Sequence, residues 1–341
     1  VALPRGRIPQ SVSFALRVML PRLTSYPNTA RERDQWILAR RGMHNAVDAR
    51  VPYAYMVEDE RNAAGEILPT ATIFLTNREC PWHCLMCDLW RNTIPDTVPA
   101  GTILQQIDYA LERLPNARQV KLYNSGSFFD PRAIPPEDYE AIARRLDNFD
   151  RVIVECHPAL VGDACVRFRD LIRGKFEVAM GLETAHREIL ELLNKRMTLE
   201  MFADSARLLR ESGIDLRAFI LVKPPFMREE QSVEWTVRSL EYAFECGATA
   251  ASLIPTRGGN GAMEDLAAED DFSPPALRTL VAAFERGILL KKGRVFADLW
   301  NAETWPGCHA CRGRRIARLR DMNLEQRLLD AVACDMCKDE A

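Results

Sequence analysis

The sequence contains no long apolar run, and nowhere does it approach the roughly 18 consecutive apolar residues that a membrane-spanning helix requires. It also lacks an excess of charge of either sign, because 45 basic and 48 acidic residues give a formal net charge of −3. This balance excludes a generally basic protein that coats nucleic acid, although it leaves room for a local basic patch. We therefore expect a protein without membrane contact.

The sequence also lacks internal repeats, low-complexity segments and a recognisable export signal. Residues 11–20 are apolar and have basic neighbours, but Arg17 interrupts them and no clear small-residue cleavage site follows. We therefore expect no signal peptide and a cytoplasmic location. The 341 residues, 47% of them hydrophobic and 27% charged, are sufficient for one large α/β barrel or for two smaller domains.

Cysteine, by contrast, is abundant, with ten residues in the chain. In a reducing cytosol these residues are not expected to form disulfides. Seven of them fall in two tight groups, and the other three, Cys156, Cys165 and Cys246, are scattered. We interpret the scattered cysteines as small buried hydrophobic residues. The two groups are the candidates for metal chemistry.

A regular alternation of strand-like and helix-like segments begins near residue 71. Six short apolar, β-rich runs lie at residues 71–75, 119–123, 151–155, 176–181, 216–222 and 250–254. A helical pattern follows each run, which predicts parallel strands joined by right-handed crossovers. Six such units predict an α/β fold with a partial (β/α)6 TIM-type barrel. In such a barrel the active site lies at the carboxyl ends of the strands.

The chain is expected to divide into three segments around this barrel. Residues 1–70 are predicted to form an N-terminal extension with a helix and a hairpin, the latter around a polar turn at residues 62–65. Residues 71–290 form the predicted partial barrel. Residues 291–341 are predicted to be a C-terminal, cysteine-rich, metal-binding segment.

The first cysteine group follows the first predicted strand and comprises Cys80, Cys84 and Cys87. Three thiolates in so short a loop can hold three corners of an iron–sulfur cube. A structural zinc site or an electron-transfer cluster normally has a fourth protein ligand, and none is adjacent here. The pattern therefore predicts a cluster with one open iron, at which a small molecule can bind and react.

The spacing Cys80-x3-Cys84-x2-Cys87 after the first barrel strand resembles the signature of radical S-adenosylmethionine (SAM) enzymes. The resemblance implies a [4Fe–4S] cluster whose open iron chelates the amino and carboxylate groups of SAM. Reductive cleavage of SAM then yields a 5′-deoxyadenosyl radical, which abstracts hydrogen from a substrate. An electron donor such as flavodoxin or ferredoxin is implied as a partner. In this family the residue before the third cysteine lies near the adenine, and here it is Met86.

Five further residues lie at positions where the family binds SAM. Ser125 and Gly126 follow the second strand, in the place of a Gly-Gly-Glu motif whose acid is absent here. Glu155 ends the third strand in a Glu-Cys-His-Pro turn, and the resemblance implies that it meets SAM. Glu183 corresponds to an acid or amide that bonds the ribose hydroxyls, and Lys195 to a cation that pairs with the SAM carboxylate.

A glycine-rich loop at residues 258–261 follows the sixth strand, and Arg257 directly precedes it. Such a loop at the mouth of a barrel suits an anionic group, either the SAM carboxylate or a substrate phosphate. A flexible lid is the alternative interpretation, and the two are compatible.

Several segments resemble one branch of this family, which includes coproporphyrinogen oxidase-like and methylthiotransferase-like enzymes. Residues 121–130, 155–158 and 181–184 are similar to a subgroup that includes the radical SAM subunit of archaeosine synthase. That subunit acts on a lysine-modified 7-deazaguanine in tRNA. The resemblance therefore implies, as the substrate of this chain, a modified nucleoside, a tRNA base or another nucleotide-like small molecule.

The second cysteine group consists of two CxxC units, Cys308 with Cys311 and Cys334 with Cys337. Four thiolates at this spacing are a strong metal signal. Zinc is the plainer assignment because the ligand shell is complete, and a second [4Fe–4S] cluster is the alternative. Thiolates suit both, so the ligand type does not decide between them.

Arginine is concentrated between the two CxxC units, at Arg312, Arg314, Arg315, Arg318, Arg320 and Arg327. The series predicts either an ordinary solvated helix or a local patch for the phosphates of RNA or of a nucleotide. A second hypothesis is therefore a zinc-knuckle nucleic-acid-binding protein without SAM chemistry. A third, an iron–sulfur electron carrier, requires a fourth protein ligand near the first cysteine group. The long β/α alternation favours the enzyme.

Overall fold

The computed structural model describes residues 25–337, and the apolar stretch at residues 11–20 lies outside them. Its centre is one eight-stranded sheet in which the strands follow chain order. Only the first pair, β1 with β2, is antiparallel, and every later pair is parallel. The strands are β1 (Ala54–Arg61), β2 (Ile67–Phe74), β3 (Gln119–Tyr123), β4 (Arg151–Glu155), β5 (Lys175–Glu183), β6 (Asp215–Val222), β7 (Ala250–Pro255) and β8 (Arg294–Ala297).

The described residues form ten helices; one precedes the first strand, and the others follow parallel strands, where most of them cover the outer face of the sheet. They are α1 (Ala30–Leu38), α2 (Thr102–Leu111), α3 (Tyr139–Arg145), α4 (Asp163–Leu171), α5 (Arg187–Leu192), α6 (Leu199–Glu211), α7 (Glu229–Glu245), α8 (Ala262–Ala268), α9 (Leu277–Leu289) and α10 (Arg312–Glu325). Short 3-10 turns lie at Leu89–Asn92, Pro136–Asp138, Pro158–Leu160, Ala302–Thr304 and Asp335–Cys337. None of the helices in the described part of the chain has the length and apolar character needed to cross a membrane.

The curled sheet with its outer helices confirms the predicted α/β partial barrel. The six predicted strands correspond to β2 through β7, and β8 is a further parallel strand that the sequence analysis did not anticipate. The polar turn at residues 62–65 joins β1 to β2, so the second arm of the hairpin is also the first parallel strand. The division of the chain at residues 70 and 290 stays a prediction, although strand pairing joins residues on both sides of each position.

Side chains alternate between the two faces of the strands, and this alternation separates an apolar outer layer from a polar interior. Outward-facing residues such as Ile73, Leu122 and Leu253 are 0% exposed beneath the helices. Their neighbours along the strands point into the barrel, where many of the side chains are polar or aromatic. The apolar core therefore lies between the sheet and the helices.

An ion network fills the lower interior, nearest the amino ends of the parallel strands. Arg217 on β6 is only 2% exposed and donates hydrogen bonds to Glu177 at 2.6 Å and to Glu60 at 2.5 Å. Arg151 donates to Glu177 at 2.8 Å, and Lys121 pairs with Glu60 at 2.6 Å. These five residues, here called the barrel floor, connect β1, β3, β4, β5 and β6.

The charges of the barrel floor compensate one another. Burial alone would favour a neutral Glu60, but Arg217 and Lys121 outweigh it and hold the pKa of Glu60 below its usual range. Burial likewise opposes ionisation of Glu177, yet the surrounding arginines, Arg217 foremost, keep its pKa lowered. Both carboxylates are therefore charged at neutral pH, as buried ion pairs require to repay their desolvation.

Two side-chain amides of α10 and its C-terminal end cover the free edge of β8. Asn323 accepts a hydrogen bond from the N–H of Ala297 at 2.8 Å and donates to its carbonyl at 2.9 Å. Gln326 does the same with Val295, at 2.9 and 2.7 Å. Because each amide offers one acceptor and one donor, the two residues occupy the positions that a ninth strand would take. This edge is therefore protected from pairing with another chain.

Replacement of Arg217 by methionine should destabilise the protein strongly, because Glu60 and Glu177 would lose the cation that they share. We expect the free energy of unfolding to fall by about 3–5 kcal/mol, as for other buried pairs that lose one partner. Urea unfolding followed by circular dichroism measures this change.

The matched control is Arg207→Met, since Arg207 pairs with Asp204 at the surface, where both side chains are more than half exposed at 52% and 66%. This change should cost less than about 1 kcal/mol. Similar small losses in both variants would show that the barrel floor does not depend on Arg217.

Candidate active site

The first cysteine group lies in a loop that begins where β2 ends, at the carboxyl ends of the parallel strands. Directly after β2, the buried Gln106 side chain accepts a hydrogen bond from the N–H of Thr76 at 2.8 Å and donates one to its carbonyl at 2.7 Å. These bonds fix the direction in which the chain leaves the sheet. Cys80, Cys84 and Cys87 follow as free, half-buried thiols, and we call residues 80–87 the cysteine loop.

Two asparagines from distant parts of the chain hold the cysteine loop. The Asn194 amide donates to the carbonyl of His83 at 2.9 Å. The Asn260 amide donates to the carbonyl of Leu85 at 2.7 Å and to that of Cys87 at 3.2 Å. Sequence analysis assigned no role to either asparagine, because an amide gives no signal until the carbonyl that it binds has been placed.

The surroundings of the three thiols suit metal ligands. Burial raises the pKa of Cys80 to about 12 and that of Cys87 to about 11, and it raises the pKa of Cys84 well above its usual value. Uncoordinated thiols would therefore be neutral at pH 7, and a bound iron centre would displace their protons. Among the residues that the structure describes, the three scattered cysteines pack in or against the hydrophobic core and the C-terminal four form a separate group, so no fourth cysteine joins the loop. Three thiolates without a fourth fit a cluster that keeps one iron open.

The turn after β3 packs directly against the cysteine loop. A methyl group in place of the Gly126 hydrogen would lie 3.3 Å from Cβ of Cys80, so a larger residue would press on the cysteine. Ser125 has a left-handed backbone with φ of 55°. Its hydroxyl hydrogen-bonds to the hydroxyl of Tyr53 at 3.1 Å. The turn is thus held on one side by Tyr53 and on the other by Cys80.

The Glu155 carboxylate lies across this turn. It accepts hydrogen bonds from the backbone N–H groups of Asn124 at 2.5 Å and of Gly126 at 3.3 Å. Burial raises the pKa of Glu155 to about 7, although these N–H groups favour its ionised form. A carboxylate from the neighbouring strand therefore occupies the turn whose own acid is missing.

Glu183 and Lys195 form a buried ion pair at the carboxyl end of β5. Glu183 has a φ of 65° at the point where the pairing of β5 with β6 becomes irregular. Gly181 permits this arrangement, because a methyl group there would overlap both the carboxylate and the ammonium. Burial opposes the charge of Lys195, but Glu183 outweighs it and raises the pKa of Lys195. Lys195 is therefore charged at neutral pH.

His157 links the cysteine loop to this ion pair. Its Nε2–H donates to the carbonyl of Lys195 at 2.9 Å, and its Nδ1 accepts from the N–H of Ala159 at 3.1 Å. Burial, with help from the Lys195 charge, lowers the pKa of His157 to about 3, so the ring is neutral. Trp82 of the cysteine loop stacks on the ring with centroids 3.8 Å apart and planes 13° apart. His157 therefore holds its neighbours in position.

Most of the residues that the sequence analysis proposed for SAM surround the cysteine loop. The charges of Lys195 and Glu183 act on Cys84, and those of Lys195 and Glu155 act on Cys80. Non-glycine residues with a left-handed backbone are concentrated along the same rim, namely Ser125, Glu183, Asn194, Arg196, Lys223 and Phe226. Such conformations persist only where the surrounding structure enforces them, and they often mark functional sites.

Two other predicted residues lie toward the edges of this arrangement. Met86 packs among apolar side chains at the rim, including Leu193 and Leu221. Arg257 pairs with Asp298 at 3.5 Å and donates to the carbonyl of Trp300 at 3.3 Å. Arg257 is therefore engaged with residues that follow β8. The roles of both residues stay predictions.

Partly exposed aromatic rings line the upper interior of the barrel. Tyr123 on β3 contacts Phe219 on β6 with ring centroids 5.9 Å apart, and because these strands are not neighbours the contact crosses the interior. Phe74 lies 6.0 Å from Tyr123 and 5.6 Å from Tyr53. We use the name upper cavity for the end of the barrel interior that these four residues occupy, on the side of the cysteine loop. Sequence analysis did not identify them, because an aromatic residue at a strand end does not reveal its facing partner.

Asp298 follows β8 and lies two residues after Phe296, whose side chain points into the barrel. By the same alternation, Asp298 faces the upper cavity. Burial raises the pKa of Asp298, and the charge of Arg257 opposes this effect. The Asp298 carboxylate also accepts the N–H of Trp300 at 2.9 Å. Asp298 was not among the predicted site residues, because the short strand that precedes it was not recognised.

The second cysteine group forms a compact metal-binding site. The sulfurs of Cys308, Cys311, Cys334 and Cys337 all lie within 4.8 Å of one another. This arrangement confirms that the C-terminal segment can bind a metal.

The six arginines between the CxxC units do not form one exposed surface. Arg315 and Arg318 are each only 9% exposed, and Arg318 donates to the backbone carbonyls of residues 329 and 330. Arg320 and Arg327 are exposed, but each pairs with a glutamate. RNA binding by this series stays a prediction, with fewer free cations than the sequence suggested.

Comparison with known proteins agrees with the site. Residues 74–236 match the family model of the radical SAM superfamily. An uncharacterized protein of Methanocaldococcus jannaschii is 27% identical, over 69% of this chain and 68% of that protein. The archaeosine synthase subunit beta of Methanosarcina acetivorans is 26% identical, over 79% and 83% of the two chains. Methylornithine synthase has a similar fold, with a TM-score of 0.53 and 13% identity over 87% of this chain and 73% of its own.

The raised pKa of Glu155 predicts a specific dependence of stability on pH. Because the folded protein binds this proton up to about pH 7, whereas the usual value is 4.5, ionisation destabilises the fold as pH rises through this window. The stability that Glu155 contributes is complete below pH 4.5 and is lost above about pH 7. Urea unfolding of the reduced, metal-free protein and of Glu155→Gln should therefore diverge in favour of the variant as pH rises, by about 1–3 kcal/mol.

Glutamine is the suitable replacement because its carbonyl can still accept the N–H groups of Asn124 and Gly126. A difference between the two proteins that stays constant from pH 4.5 to pH 7 would contradict the assignment.

Proposed function

We propose that this chain, whose residues 74–236 match the family model of the radical SAM superfamily, cleaves SAM reductively and uses the radical on a modified nucleoside in tRNA or a related nucleotide-like substrate. The observation that carries the proposal is the cysteine loop, with three half-buried thiols beside Glu155 and the Glu183–Lys195 pair. When bound, a [4Fe–4S] cluster of this family supplies the electron that splits SAM into methionine and a 5′-deoxyadenosyl radical. Cys80, Cys84 and Cys87 would hold it.

The residues around the loop match the groups of SAM in charge. We assign Glu155 to the SAM ammonium, in place of the acid that the Ser125–Gly126 turn lacks, because its carboxylate lies on that turn and near Cys80. Lys195 suits the SAM carboxylate, and Glu183 can accept hydrogen bonds from the ribose hydroxyls. Met86 offers an apolar contact for the adenine. The backbone at Gly126 allows close approach of the cofactor.

The upper cavity suits a flat nitrogenous base. Tyr123 and Phe219 provide aromatic faces for stacking, and Asp298 and Arg257 provide an acceptor and donors for polar groups at the edge of a base. We therefore assign Arg257 to the substrate, whose phosphate or carbonyl it would bind, rather than to SAM. The similarity to a protein named archaeosine synthase subunit beta supports a nucleoside substrate. Because that relative is named as one subunit of an enzyme, the similarity also supports a protein partner for this chain.

A binding protein without SAM chemistry is the weaker alternative. It would explain the C-terminal cysteines, but it gives no reason for buried charges beside three thiols at the carboxyl ends of a parallel sheet. An electron donor such as ferredoxin or flavodoxin is a further expected partner.

Anaerobic reconstitution with iron and sulfide should give a brown protein that converts SAM to 5′-deoxyadenosine when a strong reductant is added. Cys84→Ala should abolish this cleavage, by at least about a hundredfold, because two thiolates do not hold the cube. Liquid chromatography of the 5′-deoxyadenosine formed measures the cleavage of SAM. Cys246→Ala is the matched control and should retain full cleavage, since Cys246 packs against the core near the end of α7. A colourless protein that never cleaves SAM would end the proposal.

Asp298→Asn should separate SAM cleavage from substrate conversion. The loss of one charged hydrogen-bonding group should lower conversion about tenfold or more, whereas cleavage of SAM without substrate should be unchanged. The probe is tRNA from cells that lack this protein, and mass spectrometry of its nucleosides measures the product. Asp265→Asn is the control, because Asp265 pairs with Arg40 at the surface and should have no effect. Full conversion by the Asp298 variant would exclude Asp298 from the substrate site.

A further inference from the structure

We propose that the C-terminal four-cysteine site binds a single tetrahedral zinc ion, rather than a second iron–sulfur cube, and that this ion keeps α10 on the edge of the sheet. The inference does not rest on the SAM reaction. It depends on the spacing of the four sulfurs, on the arginine that contacts them and on what α10 covers.

The sulfur spacing fits one ion. Sγ of Cys308 lies 3.9 Å from Sγ of Cys334, and Sγ of Cys311 lies 3.6 Å from Sγ of Cys337. A zinc–sulfur bond of about 2.3 Å in a tetrahedron places neighbouring sulfurs about 3.8 Å apart. A cube binds each thiolate to a different iron and therefore needs a wider set. In the described residues, Cys80, Cys84 and Cys87 do not form so tight a group, which is the contrast expected between a cube and a single ion.

Arg315 gives the site a positively charged neighbour. Its Nε donates to Sγ of Cys311 at 3.2 Å, and its Nη2 lies 3.8 Å from Sγ of Cys337. Arg315 is only 9% exposed, and a buried guanidinium needs an anionic partner. Four thiolates around a divalent zinc ion carry a net charge of −2, so Arg315 offsets part of it. Hydrogen bonds of this kind also orient metal ligands.

The site joins the two ends of the α10 region. Cys311 directly precedes α10, whereas Cys334 and Cys337 lie in the last described residues. Between them, Arg318 holds the returning chain by its donation to the carbonyls of residues 329 and 330, at 3.2 and 2.8 Å. An ion that binds both CxxC units therefore closes this segment into a ring.

The contacts of α10 with the first and last strands explain why a closed ring would matter here. Asn323 and Gln326 satisfy the edge of β8, and Arg61 from β1 donates to the carbonyl of Leu324 at 3.0 Å. The helix thus lies between the first and last strands of the open barrel. Without the ion, only side-chain contacts would hold it there, and the edge of β8 would open more often.

The first test is the metal content of the full chain after anaerobic reconstitution. We expect about one zinc ion and about four iron and four sulfide ions per chain. Cys337→Ser should lose zinc and keep iron, whereas Cys84→Ala should lose iron and keep zinc. About eight irons per chain, or loss of iron in the Cys337 variant, would overturn the proposal. Failure of the SAM proposal alone would instead appear as absent iron with zinc retained.

The second test is hydrogen exchange at the β8 edge. Removal of zinc from the wild-type protein with a zinc chelator should speed exchange of the Val295 and Ala297 amides about tenfold or more, because local opening then costs less. The amides of β4, at the centre of the sheet, are the internal control and should be unaffected. Unchanged protection of Val295 and Ala297 after zinc loss would overturn the structural role.

Arg315→Met adds a milder change that leaves all four thiolates in place. Zinc affinity, measured by competition with a chelating dye, should fall about tenfold or more, as for other residues that support metal ligands. Arg314→Met is the control, since Arg314 is exposed on the same turn of α10. Equal affinities in the two variants would contradict the part assigned to Arg315.

Discussion

Parallel hydrogen bonding from β2 to β8 is the constraint on which the rest of this molecule depends. It brings the carboxyl ends of seven strands to one rim, so that residues far apart in the chain, such as Cys80, Glu155 and Lys195, surround one site. The same pairing sends alternate side chains outward beneath the helices and inward to the barrel. The barrel floor then ties the facing strands together with charges that satisfy one another.

Much of the fold could be predicted from the sequence, because the outer face of each parallel strand is apolar and the segments between strands are polar. The predicted bounds of β3 and β4 agree with the structure for this reason. β8 escaped notice because its four residues include only two outward-facing apolar side chains, Val295 and Ala297. Only residues 53–56 were indicated as the first arm of the hairpin. Residues 57–61 of β1 were missed because they are mostly charged, and only the distant Arg217 and Lys121 make Glu60 acceptable inside the barrel.

The candidate site was predictable where a short motif carries the chemistry, and not where contacts between distant residues create it. The three cysteines follow from their spacing, and Glu155 and Glu183 from their position at strand ends. Asn260 binds a carbonyl 175 residues away, and no local pattern could reveal that contact. The arginine series between the CxxC units was overestimated as a surface patch, because a charged residue in the sequence does not reveal whether its side chain is buried. Arg315 and Arg318 point inward to acceptors that only the folded chain provides.

The barrel floor also limits the directions from which a small molecule could reach the barrel interior. Because Glu177 is 0% exposed and Arg217 is 2% exposed, the barrel floor closes the lower end of the interior to solvent. A molecule that binds in the upper cavity would therefore reach it from the side on which the cysteine loop lies, and not through the barrel floor.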